Sequence, residues 1–93
     1  MWLTSLDTKT QARIQARVLR FELGNLGDHK SVGEGVWEAR LDFGPGYRVY
    51  LGQDGPVVVL LLCGVDKSTQ AKDIRQAKTY WKRYLKEQDD GKA

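Results

Sequence analysis

The sequence predicts an α+β domain: a small antiparallel sheet carrying an N-terminal and a C-terminal helix packed on one of its faces. Three observations predict it. Residues 36–43, "VWEARLDF", alternate between apolar and polar side chains, as a strand with one covered face does. Residues 57–63, "VVVLLLC", are apolar throughout, which suits a strand buried on both faces. The segments 7–23 and 70–86 repeat apolar residues at helical spacing. At 93 residues, the chain is expected to form one domain over 1–93.

The first helix is expected over 7–23. Ile14, Val18 and Phe21 fall at i, i+4, i+7, and Leu19 and Leu23 widen that stripe. Asp7 or Thr8 can cap its start, and Gly24 stands where a left-handed C-terminal cap favours glycine. The preceding "MWLTSL" reads as a helical turn packing Trp2, Leu3 and Leu6. Residues 24–35, "GNLGDHKSVGEG", hold four glycines and read as a loop. Three strands follow in a meander, over 36–43, 47–51 and 57–63, joined by turns at "GPG" (44–46) and "GQDG" (52–55). Ser68 or Thr69 can cap the last helix, over 70–86, whose core stripe is Ile74, Ala77, Trp81 and Tyr84 or Leu85. The tail 87–93 is expected to fray.

Composition narrows the chemistry. The lone Cys63 cannot form an internal disulfide and reads as a small buried hydrophobe. No Cys/His cluster points to a metal, and no motif points to a cofactor. The longest apolar run, Pro56 to Cys63, is far short of the roughly 20 residues that span a bilayer, and the N-terminus lacks signal-peptide features. The cytoplasm is the expected location, with no membrane partner. The net charge of +3 is unevenly spread. Residues 67–86 carry seven basic side chains against Asp73 alone, which suits a polyanion or an acidic protein. A solvated helix face would look the same.

If both helices cover the face of Trp37, Leu41 and Phe43, then Glu38 and Arg40 lie on the other, open face. Arg48 and Tyr50 share a face of the next strand, and the following loop can bring Lys67 and Ser68 to the same sheet end. Such a surface suits RNA, whose phosphates favour arginine and lysine and whose unstacked bases favour aromatic planes. It can also support phosphodiester cleavage. RNA supplies the 2′-hydroxyl nucleophile, arginines stabilise the transition-state phosphate, and Glu38 is the carboxylate available as base. Alternating Glu, Arg and Asp is equally what a half-solvated strand shows, with ion pairs worth under about 1 kcal/mol.

"GEGVWEARLDFGPGYRVYL" (33–51) and "VVVLLLCGVDKSTQAKDIRQAK" (57–78), with "ARIQARVLRFELGNLGDHKSVGEGV" (12–36) before them, resemble the RelE/ParE toxin superfamily. The resemblance is to its HigB-like branch of addiction-module killer proteins, and it covers residues 2–85. It implies the toxin of a type II toxin–antitoxin system, a ribosome-dependent mRNA endoribonuclease that halts translation. The implied partners are the ribosome with its mRNA, a cognate helix-turn-helix antitoxin, and operator DNA reached through that antitoxin. Arg48 in "GYRV" matches the strand arginine that contacts the scissile phosphate. Arg40 matches a basic strand position, and Lys67 falls in a loop where relatives place another basic residue. Lys72, Arg75 and Lys82, with Lys30 and Tyr50, are the expected RNA and ribosome contacts.

The chain also departs from that pattern. Ile74 stands where ribosome-dependent relatives carry a C-terminal tyrosine or histidine, and Tyr80 and Tyr84 have packing spacing. Relatives begin with a β-strand before their first helix, whereas this chain starts at "MWLTSL", inside what would be that helix in the relatives. Either that strand is missing, leaving a sheet edge an antitoxin strand can fill, or the start lies further upstream. Two other functions share the resemblance: a ParE-like gyrase inhibitor without catalysis, and a degenerate toxin acting only in operon autoregulation.

Overall fold

A computed structural model describes residues 7–24, 27–41, 46–65 and 67–90. The turn expected over 1–6, most of "GPG", and Asp42 and Phe43 of the alternating strand lie outside the described residues. Helix α1 spans Thr8–Glu22. Four strands follow: β1 (His29–Gly33), β2 (Val36–Arg40), β3 (Arg48–Asp54) and β4 (Val57–Gly64). A 3-10 turn at Lys67–Thr69 leads into α2, Gln70–Asp90. The α+β class is as the sequence predicts. Helix α2 extends past residue 86, so 87–90 are helical, not frayed.

Local chemistry sets the ends of α1. Asp7 is the N-cap, and its Oδ1 accepts from the Thr10 amide at 2.8 Å. Gly24 closes the C-terminus at φ +88°, with its amide donating to the Phe21 carbonyl.

The sheet has one strand more than predicted, because β1 forms inside the glycine-rich segment assigned to a loop. The strand order is β1-β2-β3-β4, all antiparallel. Gly33 pairs with Val36, leaving a two-residue turn of Glu34 and Gly35, both at positive φ. That is the requirement of a type I′ hairpin turn, which matches the twist of the strands it joins. Strand β3 likewise runs through "GQD". Its turn is Gly55–Pro56, with glycine at positive φ in the first central position.

The helices lie on opposite faces of the sheet, not on one. Ile14 and Phe21 of α1 pack with Ala39, Leu41, Val49, Leu51 and Cys63. Ala77 and Trp81 of α2 pack with Val36, Tyr50, Leu61 and Leu62. Alternation along β3 separates the two sets, so Val49 and Leu51 meet α1 while Tyr50 meets α2; in β4 a register shift opposite Tyr50/Leu51 lets the consecutive Leu61 and Leu62 both join the α2 side. Two glycines on the α2 side create the seat. A Cβ at Gly52 would fall within the Trp81 indole, and one at Gly64 would lie 2.7 Å from Asp73 Oδ2. Cys63 is a free, buried thiol, and burial pushes its pKa up to about 11. Among the described residues no helix is long and apolar enough to cross a membrane.

The indole of Trp81 sets the spacing between α2 and the sheet. Gly52→Ala is therefore expected to destabilise the fold by about 1–3 kcal/mol, the usual cost of overpacking. A lower urea midpoint with an unchanged m-value would show it.

Candidate functional site

Arg40 and Arg48, two of the residues singled out by sequence, meet at one end of the sheet. Arg40 closes β2 and Arg48 opens β3, and the two are direct cross-strand partners. Arg48 is in turn opposite Gly64 at the end of β4. Like charges in that relation destabilise a sheet. Arg40 is exposed, whereas Arg48 retains only 8 % of its surface. The Nε of Arg48 is buried and makes no hydrogen bond. A buried guanidinium nitrogen without an acceptor is costly, and such groups concentrate at functional sites.

The face expected to be open is covered by α2. Glu38 is 1 % exposed and Tyr50 is fully buried. Glu38 and Tyr50 face each other across β2 and β3, and the Tyr50 hydroxyl donates to Glu38 Oε2 at 2.9 Å. Gln70 Nε2, from the first turn of α2, donates to the same oxygen at 2.9 Å. Lys30, opposite Glu38 on β1, holds its Nζ 3.6 Å from Oε1. Burial is the main force raising the Tyr50 pKa, reinforced by its bond to Glu38 and by the charges of Glu38 and Asp73; Arg48 acts in the opposite sense. Tyr50 is thus a fixed donor, not a surface ring on which a base can stack. Glu38 is a satisfied structural carboxylate, not an open general base. Lys30 is exposed, but its ammonium is drawn to Glu38.

Asp73 completes the buried polar group. It is 6 % exposed, accepts from the Thr69 hydroxyl at 2.8 Å, and sits over Gly64 beside the Tyr50 ring. Lys67 is exposed in the 3-10 turn just before α2. Lys72 and Arg75 are exposed on the first turns of α2. Lys82 belongs elsewhere. It and Lys78 reach Glu34 at 3.3 and 3.5 Å, at the β1–β2 turn and the opposite end of the sheet from Arg48. His29, on the α1 side, donates through Nδ1 to the Gly27 carbonyl at 2.8 Å and packs against Phe21 and Trp37.

Gln70 and Asp73 are not singled out by the sequence, although it carries a signal for Gln70. Stepping back by four and seven from Ile74 and Ala77 reaches Gln70, so a polar side chain continues the apolar stripe of α2. A polar residue at such a position requires a buried partner, and Glu38 is that partner.

Tyr50→Phe removes one of two donors to Glu38 Oε2 and is expected to cost about 1 kcal/mol at neutral pH. The folded state holds the Tyr50 proton more tightly than the unfolded state. Stability from this group is therefore full below about pH 10, the ordinary tyrosine pKa, and falls as pH rises above it. Melting curves from pH 7 to the alkaline limit should show a shallower decline in Tyr50→Phe than in the parent.

No family model and no solved structure matches this chain. An uncharacterized protein of Haemophilus influenzae is 55% identical over 78 residues, covering 83% of this chain and 79% of that protein. At that identity and coverage, the chain belongs to the same protein family as its Haemophilus influenzae relative.

Proposed function

We propose that the protein is the toxin of a type II toxin–antitoxin system and cuts mRNA on the ribosome, in the cytoplasm. The motifs at 33–51 and 57–78 support this through their resemblance to the HigB-like branch. The structural observation that carries it is Arg48: buried, its Nε without an acceptor, and directly opposite Arg40. A phosphate bound there would supply the missing acceptor and neutralise the like-charge pair.

In this reading the RNA 2′-hydroxyl attacks the adjacent phosphorus and the P–O5′ bond breaks. Arg48 and Arg40 stabilise the charge that develops on the phosphate oxygens. Lys67, Lys72 and Arg75 hold flanking phosphates of mRNA or ribosomal RNA. Glu38, Tyr50 and Gln70 act as positioning residues, fixing β2, β3 and α2 so that the two arginines keep their spacing. A helix-turn-helix antitoxin neutralises the toxin by laying acidic segments on the same cations, and carries it to operator DNA.

Mapping mRNA 5′ ends in cells after induced expression tests this. The parent is expected to produce new cuts within translated frames. Arg48→Ala should reduce them by about 10²–10³-fold, the usual effect of losing one charge-stabilising donor. Arg48→Lys keeps the charge without the planar fork and should be impaired as well. Circular dichroism of both variants separates loss of function from loss of fold. Growth arrest with intact mRNA would overturn cleavage and point to inhibition by binding, as for a gyrase inhibitor. Folded protein with neither arrest nor cuts would leave only operon autoregulation.

A further inference from the structure

Helix α1 carries two apolar stripes, and only one faces the sheet. Ile14, Val18 and Phe21 form the inner stripe. Leu19 and Leu23, which spacing alone assigns to a widened core, are 55 % and 76 % exposed. At 3.6 residues per turn they lie diametrically opposite Ile14, on one line with Ala12 and Ala16. Both alanines are also exposed. Ala12, Ala16, Leu19 and Leu23 fall at i, i+4, i+7, i+11, the narrow seam with which one helix packs along another. The two alanines permit close approach and the two leucines supply knobs.

The flanks of this seam differ in charge. Lys9, Arg13 and Arg20 run along one side, and all three are exposed. Thr8, Gln15 and Glu22 run along the other. A second copy docking antiparallel would set the basic row against its own equivalent. A second copy docking parallel would meet that row with a single carboxylate, Glu22. Charge therefore argues against self-pairing and favours a helix that brings acids.

We infer that the outer face of α1 is a docking surface for an amphipathic helix of another protein, with leucine-type residues in the seam and glutamate or aspartate facing Lys9 and Arg20. This surface lies on the far side of the sheet from Arg48. It does not depend on the nuclease reading, and its occupant need not compete for the arginines.

The probe is a synthetic helical peptide with leucines at the complementary seam positions and glutamates on the flanks, titrated against the full chain by fluorescence anisotropy. A companion peptide carries lysines in place of the glutamates. Binding of the acidic peptide is expected, with amide shifts along α1 in two-dimensional NMR spectra. The double variant Leu19→Asp/Leu23→Asp should weaken it by about tenfold or more, as loss of central anchors does. Both side chains are exposed, so the melting temperature should hold. The lysine peptide should bind at least as weakly, and salt should weaken the acidic one. No binding, equal affinity for the two peptides, or shifts mapping to α2 would overturn the inference. So would self-association in sedimentation, or uptake onto anionic vesicles, that the double variant abolishes. Those two results would make a second copy or a membrane the occupant.

Discussion

The fold turns on one buried carboxylate. Glu38 is taken out of water by α2, and an ion in that position has to find its partners inside the protein. It finds one on each neighbouring element: Lys30 from β1, Tyr50 from β3 and Gln70 from α2. Hydrophobic burial brings α2 to the sheet, but apolar contact has no direction. The paired hydrogen bonds on Oε2 do have direction, and they fix where along the sheet the first turn of α2 comes to rest. Gly64 permits that position by leaving room for Asp73, and Gly52 permits the corresponding approach of Trp81 further along.

The consequence reaches Arg48. Asp73 and the Tyr50 ring pack over Gly64, the β4 residue opposite Arg48, and Arg40 stands beside Arg48 because the β2–β3 register places it there. Enclosure strengthens every electrostatic interaction that the guanidinium can make. The same enclosure leaves its Nε without a partner. The positive charge at this sheet end is thus held by the scaffold and not by a flexible surface side chain, which is what a group acting on a developing charge requires.

Much of this was legible in the sequence. The two helices, the alternation of β2 and the apolar β4 follow from periodicity; capping chemistry points to Gly24 and to Asp7 or Thr8, of which the structure uses Asp7. Strand parity puts Glu38 with Arg40 and Arg48 with Tyr50 on shared faces, whereas the register that sets Arg40 opposite Arg48 and Glu38 opposite Tyr50 comes only from the structure. What was not legible is instructive. Strand β1 hides in a glycine-rich segment because its turn, Glu34–Gly35, puts a non-glycine residue at positive φ, an uncommon choice. The second covered face of the sheet is signalled by the chain. A strand as apolar as "VVVLLLC" needs a layer on each side, and two helices on one face cannot supply both. Leu19 and Leu23 show the converse limit, since an apolar residue on a helix need not point to its own core. Polar residues near a helix start are ordinary at the surface, and it is the tertiary position of Glu38 for Gln70, and of Thr69 and Gly64 for Asp73, that gives these two a different role.

The sheet is a meander in which each strand pairs with its neighbour in the chain. Its contacts close over short loops, which favours rapid assembly. The contacts of α2 with Glu38 span a much greater distance along the chain, since Gln70 is 32 residues away. Glu38 and Tyr50 are sealed from water only where α2 is docked over them, so this end of the sheet draws on parts of the chain that lie far apart in sequence.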